Sequence, residues 1–261
     1  MASFWRTLGN IVRSTGQALD TIGCGIQGRL GVKETVSNHQ TLAAYGGRRP
    51  ILSQIAFVAP NASLIGDVTV GHSSSIWYGA VLRGDVNRIK IGENTNILDN
   101  AVIHVAKHNA ADKSQPTIIG NNVTIGHGAV VHAATVEDGA LVGMGAMLLD
   151  GSTVQKGSIV AAGAMLSPGK TVPSGEVWAG TPARYLRNLE EGEADFIIQS
   201  ANNYAALAAV HAAENGKTFA EIEEDKERRQ DRMERDPDYD SHLGVARDPV
   251  TREVIQTAEH T

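Results

Sequence analysis

The chain has 261 residues, a hydrophobic content of 42% and a formal net charge of −6; this balance and the lack of a long basic run argue against a nucleic-acid partner. No run of apolar residues reaches the ~18–20 needed to span a membrane, and the single cysteine, Cys24, excludes an intrachain disulfide. Only 5% aromatic residues beside 28 glycines favour a core of small and β-branched side chains with tight turns.

The N-terminal segment, residues 3–30, predicts an amphipathic helix. Its apolar residues recur at helical spacing, with Arg6 and Arg13 on the opposite side. Three interpretations stay open: a cleavable mitochondrial transit peptide, a retained helix that docks on a membrane or partner, or a helix folded back onto its own domain. We assign residues 1–45 to this helix and a linker.

The central part of the chain repeats every six residues. Aliphatic side chains recur at this interval in four series. The series are Val58, Leu64, Val70, Ile76 and Leu82; Ile91, Ile97 and Ile103; Ile119, Ile125 and Val131; and Val142, Leu148, Val154, Val160, Leu166 and Val172, ending at Trp178. A period of six fits neither an α-helix nor a simple hairpin. It predicts a triangular solenoid in which each hexad is a short strand plus a corner and the repeated aliphatics stack inside.

We therefore predict an all-β core over residues 46–182, a left-handed parallel β-helix of hexapeptide repeats. The gap of sixteen between Ile103 and Ile119 holds one hexad and ten extra residues, which we interpret as an exposed loop leaving a corner. Residues 183–235 predict C-terminal α-helices, the second of them highly charged. Residues 236–261 are expected to be an irregular tail.

Two histidines fall at the same position of successive coils. His104 follows Ile103 and His132 follows Val131, and their separation of 28 residues becomes 18, one full coil, once the ten inserted residues are subtracted. They should therefore lie in one column, near the ~4.8 Å spacing between strands. Two imidazoles at that distance can share one metal ion, since Zn–N bonds are about 2.0–2.1 Å.

A third histidine, His127, falls in the preceding hexad and therefore on another face. Within one chain it cannot easily reach the same ion, but in a trimer of prisms that face would meet a neighbour's His104 and His132. We predict a zinc site between subunits with two ligands from one chain and one from the next. Three histidines with an open fourth position are typical of catalytic zinc. His108, in the inserted loop, is a weak candidate for proton transfer.

Long runs of the sequence resemble the γ-class carbonic anhydrases. The runs are LRGDVNRIKIGENTNILDNAVIHVAKH and TIIGNNVTIGHGAVVHAATVEDGALVGMGAMLLDG. The similarity is closer still to the mitochondrial type found as subunits of respiratory complex I in plants and algae, and includes GNIVRSTGQALD, SGEVWAGTPARYLRNL and IIQSANNYAALAAVHAAENGKTF. It covers nearly the whole chain except the last ~25 residues.

The resemblance implies a homotrimer or heterotrimer of homologous subunits that binds zinc, with ferrous iron as the alternative metal, and acts on carbon dioxide and bicarbonate. It implies a peripheral place on the matrix side of the mitochondrial inner membrane, with the N-terminal helix retained against membrane-arm subunits of complex I. By the same resemblance Arg83 and Asp85 match an intersubunit ion pair beside the metal. Asn96 matches a polar residue near the site, and Tyr204 an active-site tyrosine for which core packing is an equal alternative.

Two departures from the family pattern weaken the case for catalysis. Leu98 replaces the usual glutamine of the TNIQD motif, which removes an amide that would orient water, and Val86 stands where the well-studied archaeal type has a glutamate after RxD. The acidic proton-transfer loop is also missing, and the insertion offers Lys107, His108 and Asp112 instead. Two functions therefore compete: zinc-dependent hydration of carbon dioxide, or a catalytically weak structural and assembly subunit. A hexapeptide-repeat acyltransferase is a third reading, against which the coil-registered histidines argue.

Overall fold

The computed structural model describes residues 2–28, 40–53, 57–108, 114–234, 245–247 and 254–257. The chain divides into two compact units, Met1–Gln40 and Thr41–Thr261. The first unit contains helix α1, Ala2–Gln27. Eight large apolar side chains of α1 are exposed, namely Phe4, Trp5, Leu8, Ile11, Val12, Leu19, Ile22 and Ile26. None of the described helices is long and apolar enough to cross a membrane.

The second unit is built of short strands followed by two helices. The strands of its first half are β1 (Leu42–Ala43), β2 (Ile51–Leu52), β3 (Phe57–Val58), β4 (Ser63–Val70), β5 (Ser75–Ile76), β6 (Val81–Ile91), β7 (Asn96–Ile97), β8 (Val102–His104), β9 (Ala106–His108), β10 (Ser114–Gln115), β11 (Thr117–Ile119) and β12 (Thr124–Ile125). Those of its second half are β13 (Val130–His132), β14 (Thr135–Val136), β15 (Leu141–Val142), β16 (Met147–Leu148), β17 (Thr153–Val154), β18 (Ile159–Val160), β19 (Met165–Leu166), β20 (Thr171–Val172), β21 (Glu176–Ala179), β22 (Arg184–Asn188), β23 (Val245–Arg247) and β24 (Val254–Thr257). Helices α2 (Glu193–Asn215) and α3 (Phe219–Glu234) lie between β22 and β23.

These strands form the parallel β-helix of hexapeptide repeats that the sequence predicts, and that prediction is confirmed. Strands β8, β13, β16 and β19 pair in parallel on one side, which we call the histidine face. Strands β3, β5, β7, β12, β15, β18 and β21 form a second side, the helix face, which is extended by the antiparallel β22. Strands β11, β14, β17 and β20 form the third side. The long strand β6 joins two sides, because its start pairs with β8 and its end with β11.

The interior of the prism is filled by the repeated aliphatic residues. On the helix face Ile76, Ile97, Ile125, Val142 and Val160 are aligned in successive coils and have no exposed surface. Full burial of such a side chain contributes roughly 1.5–3 kcal/mol. Because β-branched side chains have few rotamers to lose, they stack at low entropic cost on a pleated surface.

Some coils approach each other too closely for any side chain. A Cβ on Gly92 would lie 2.5 Å from the carbonyl carbon of Gly120 in the next coil. The glycine that follows the repeated aliphatic therefore permits contact between backbones, as well as a turn.

The C-terminal helix α2 packs on the helix face through Ile197, Ala201 and Ala208, all buried. Small side chains let the helix axis come close to the sheet. Helix α3 starts with a capping box in which Thr218 and Glu221 exchange hydrogen bonds.

Four details differ from the sequence expectations. Strand β22 lies in the segment expected to form C-terminal helices. The insertion expected as a loop contains two antiparallel strands, β9 and β10. The tail expected to be irregular contains the antiparallel pair β23 and β24. Strand β1, which pairs with β4, lies in the segment expected to be a linker. Apart from β4, each of these strands has only two to five residues, too few for a periodic pattern to identify it.

Candidate metal centre

His104 and His132 lie side by side on the histidine face. They are aligned partners in strands β8 and β13, and their ring centroids are 5.0 Å apart with the planes tilted by 51°. Both side chains are partly exposed, His104 by 18% and His132 by 31%. The expected one-coil register of these two residues is confirmed.

The backbone at this corner holds the two histidines in place. The carbonyl oxygen of His104 accepts hydrogen bonds from the Ala133 amide, at 3.0 Å, and from the Thr117 hydroxyl. Ala133 has a φ of 49°, in the left-handed region that disfavours a residue with a Cβ. That conformation costs on the order of 1–2 kcal/mol, and it turns the chain immediately after His132.

An ion pair borders the histidine pair on the side of β6. Arg83, aligned with His104 across β6 and β8, donates a hydrogen bond to Asp85. The second oxygen of Asp85 lies 3.2 Å from Nε2 of His104. Arg83 and Asp85 therefore meet within one chain here, whereas the pair between subunits that the resemblance implies stays a prediction.

These contacts shift the protonation equilibria of Asp85 and His104. Partial burial of Asp85 opposes its ionisation, but hydrogen bonds from the Val86 amide, His104 and Arg83 outweigh it and lower the pKa of Asp85 below its usual value. Burial, followed by the charge of Arg83, lowers the pKa of His104 despite the neighbouring Asp85. His104 is therefore a neutral imidazole at neutral pH, which is the form that binds metals.

His127 lies at the corner that follows β12, apart from the pair. Its Nδ1 is 2.8 Å from an oxygen of Asp99, which occupies the equivalent corner one coil earlier. The carbonyl of Asp99 accepts a hydrogen bond from the amide of Gly128, and the carbonyl of His127 one from the amide of Gly145. Within the described part of the chain no group of three or more His, Cys, Asp and Glu side chains could hold a metal.

Asp99 and Asp150 are partners of the histidines that sequence reasoning missed. Asp150 lies 2.6 Å from Nδ1 of His132. Asp99 could have been found by the same repeat arithmetic, because it precedes His127 by 28 residues, the interval that includes the insertion. Asp150 could not, because the register of β13 with β16 places it one residue beyond the position aligned with His132.

The comparisons with known proteins agree with this geometry. The chain is 52% identical over 242 residues to "Gamma carbonic anhydrase 2, mitochondrial" of Arabidopsis thaliana, covering 93% of this chain and 87% of that protein. It is 54% identical over 243 residues to "Gamma carbonic anhydrase 3, mitochondrial" of the same plant, covering 93% and 94%. This chain belongs to the γ-class carbonic anhydrase family.

Two further matches concern different parts of the chain. The family described as "Gamma carbonic anhydrase 1, mitochondrial C-terminal domain" matches residues 194–257. The crystal structure of a hexapeptide transferase family protein from Anaplasma phagocytophilum is 47% identical, with a TM-score of 0.61, covering 65% of this chain and 96% of that one. The first match covers the helices and the tail, and the second reflects the shared β-helix.

The residues present fit the metal chemistry of a γ-carbonic anhydrase. Zinc and ferrous iron both accept imidazole nitrogen ligands. The imidazoles of His104, His127 and His132 each contact a carboxylate, an arrangement that orients histidine ligands in metal sites. A single chain brings together two of these three histidines, His104 and His132.

Asn96 and Tyr204 lie at the junction of α2 with the helix face. Asn96 is fully buried; its amide donates to the carbonyl of Ala201, at 3.0 Å, and accepts from the Ser75 hydroxyl, at 2.7 Å. Tyr204 packs edge-on against Trp77, with 5.9 Å between ring centroids. These contacts hold α2 on the sheet, and the roles near the metal that the family resemblance implies for both residues stay predictions.

The residues that depart from the γ-carbonic anhydrase pattern lie in different environments. Leu98 is only 2% exposed and belongs to the hydrophobic core, whereas Val86 is 48% exposed. Lys107 and His108 lie in β9, whose first residue, Ala106, accepts a hydrogen bond from the side-chain amide of Asn87 through its carbonyl oxygen. Asp112 falls outside the described residues.

Proposed function

We propose that this protein is a zinc-binding γ-carbonic anhydrase subunit of a trimer, and that its site hydrates carbon dioxide to bicarbonate reversibly. The observation that carries the proposal is the alignment of His104 and His132, 5.0 Å apart on successive coils. Membership of the γ-carbonic anhydrase family supports the reaction class.

Each residue of the site would have a defined task. His104 and His132 would bind the ion from one chain and His127 from its neighbour. When bound by three imidazoles, zinc acts as a Lewis acid that activates water toward carbon dioxide. His108, at the start of the insertion, is a candidate for passing the released proton to solvent.

A trimer would also rearrange the ion pair. An intersubunit contact between Arg83 and Asp85 would replace the pair within one chain, and so release Nε2 of His104 from Asp85. Arginine suits such a contact because its planar fork can bind a carboxylate through two hydrogen bonds.

We propose a mitochondrial location, on the matrix side of the inner membrane, as a peripheral subunit of complex I. The mitochondrial names of the relatives support this place, as does the exposed apolar side of α1, which would dock against membrane-arm subunits. Ferrous iron is the alternative metal.

A structural and assembly role is the second candidate, and Leu98 favours it. The family glutamine would orient water by a hydrogen bond, but Leu98 is an apolar side chain buried in the core. A trimer could thus retain its metal with little turnover.

The test is to measure metal content and the rate of carbon dioxide hydration in the purified protein and in a His132→Ala variant. His72→Ala is the matched control, because His72 is exposed and lies on a different corner. Bound metal with a rate that only His132→Ala abolishes would support the enzyme. Bound metal without a measurable rate would favour the assembly role, and a wild-type protein that binds no metal would refute the site.

A further inference from the structure

The contact between His132 and Asp150 is the shortest of the three histidine–carboxylate contacts in the site. Nδ1 of His132 and Oδ1 of Asp150 are 2.6 Å apart, against 2.8 Å for His127 with Asp99 and 3.2 Å for His104 with Asp85. The distance of 2.6 Å is slightly shorter than the ~2.7–2.9 Å usual for charge-assisted N–H···O hydrogen bonds.

The turn that carries Asp150 is fixed by its neighbours in the solenoid. The amide of Gly151 donates to the carbonyl of Ala133 in the coil before, at 2.7 Å, and the carbonyl of Asp150 accepts from Gly169 in the coil after, at 2.9 Å. Gly151 has a φ of 68°, which suits glycine and closes the turn. Since Ala133 directly follows His132, the backbone links the aspartate to the histidine independently of their side chains.

We propose that Asp150 is a positioning residue that sets the tautomer and the orientation of His132 for metal binding. This inference rests on the proposed function. A carboxylate can only accept a hydrogen bond, so the proton of the neutral imidazole lies on Nδ1 and the lone pair on Nε2. Asp150 thereby selects Nε2 of His132 as the metal-binding nitrogen and limits rotation of the ring.

His104 contacts its carboxylate partner through a different ring nitrogen from the one that His132 uses. Asp85 contacts Nε2 of His104, not Nδ1, and is shared with Arg83. The two rings of the pair are thus held from opposite nitrogens. Within a single chain, Asp150 contacts Nδ1 of His132 and leaves Nε2 of that ring to the metal, whereas Asp85 contacts Nε2 of His104.

The pair contributes little to folding, which separates the proposed role from a structural one. The side chains of His132 and Asp150 are 31% and 40% exposed, and exposed ion pairs add little to stability. Loss of Asp150 should therefore weaken metal binding while the unfolding temperature changes little.

The test compares wild type, Asp150→Ala and Asp150→Asn by two measurements on the full-length protein. Competition with a zinc chelator should show affinity lowered about 10–100-fold in Asp150→Ala, the range for lost carboxylate partners of histidine ligands. Asp150→Asn should lose less, because its amide oxygen still accepts a hydrogen bond. In the metal-free protein, ¹⁵N NMR of the His132 ring should show Nδ1–H in wild type and a tautomer mixture in Asp150→Ala.

Asp195→Asn is the matched control, since it removes one exposed negative charge from α2; neither measurement should change. If Asp150→Ala binds zinc as tightly as wild type and keeps the His132 tautomer, the role of Asp150 is overturned while the metal site stands. If wild type itself binds no zinc, the proposed function fails and this assignment fails with it.

Discussion

His104 and His132 are aligned partners on two paired strands, in a column that offers only two metal-binding side chains. Their strands place them opposite each other, with 5.0 Å between their ring centroids, close to the strand spacing of a β-sheet. The column continues to Arg83 on one side, and on the other β13 pairs with β16, whose Leu148 precedes Leu149. Neither Arg83 nor Leu149 can serve as a third ligand, so in the function proposed above the third ligand comes from another subunit.

A complementation experiment tests the shared site. His127→Ala keeps the pair but lacks the third ligand, and the double variant His104→Ala/His132→Ala keeps only the third. We expect each trimer alone to bind no zinc tightly. In mixed trimers one interface regains all three histidines, so zinc binding should return after the two variants are unfolded and refolded together.

The control for this experiment is each variant refolded alone. Zinc bound by His127→Ala alone, with wild-type affinity, would mean that one chain supplies the whole site. Mixed trimers that bind no zinc would equally rule out the proposed division of ligands.

Replacement of Asn96 should weaken the docking of α2. Asn96→Leu removes the hydrogen bonds to Ala201 and Ser75 inside a buried junction, and leaves the carbonyl of Ala201 without this partner. We expect the free energy of unfolding to fall by about 1–3 kcal/mol, as measured in urea. Zinc content should stay unchanged.

Asn203→Ala is the control for Asn96, since Asn203 is on the exposed side of the same helix, where it bonds to Gln199. It should change stability by less than about 0.5 kcal/mol. Loss of zinc in Asn96→Leu at full stability would show instead that Asn96 acts at the metal.

Replacing Leu98 by the glutamine that is usual in the family should destabilise the protein. Leu98→Gln places an amide in a position that is 2% exposed and surrounded by core residues. Burial of an amide without partners costs about 1–3 kcal/mol, so the unfolding temperature should fall, whereas Leu98→Met should be tolerated. A faster hydration rate at unchanged stability would contradict this interpretation of Leu98.

Gly92→Ala should disrupt the stacking of coils. The new methyl would meet the Gly120 carbonyl carbon at 2.5 Å, so the backbone would have to move. We expect a large loss of stability, of more than about 3 kcal/mol, by chemical denaturation. Gly16→Ala in α1, where nothing lies within 4 Å, is the control and should raise helix stability by up to about 1 kcal/mol.

The pair between Arg187 and Glu193 predicts a dependence of stability on pH. Two hydrogen bonds from Arg187 and one from the Glu190 amide lower the pKa of Glu193 from its usual 4.5 to about 2. Because the folded pKa is below the unfolded one, this stabilisation is present above pH 4.5 and is lost as the pH falls toward 2.

Thermal unfolding of wild type and Glu193→Gln across this range checks the pair. The gap between their unfolding temperatures should be widest above pH 5 and should close near pH 2. Because Glu193 is partly exposed, the gap should be small and should shrink in 1 M salt. A gap that does not vary with pH would exclude the ion pair as its source.

The sequence predicts the fold because the repeat is a local property. Every sixth position must be aliphatic to fill a solenoid, so the stacking of Val142 on Val160, 18 residues apart in one series, can be read from spacing alone. The same arithmetic predicts the alignment of His104 with His132, once the inserted residues are subtracted. It could also have predicted Asp99 as the partner of His127.

What the tertiary structure alone decided is the environment of each side chain. Spacing cannot show that α2 covers Asn96 or that Leu98 is buried in the core, because both depend on contacts between segments far apart in sequence. Nor can it give the ring orientations, since the tautomers of His104 and His132 depend on which nitrogen each aspartate reaches. The sequence by itself determined that His104 and His132 share one column; only the packed chain determined which ring nitrogen each of them presents.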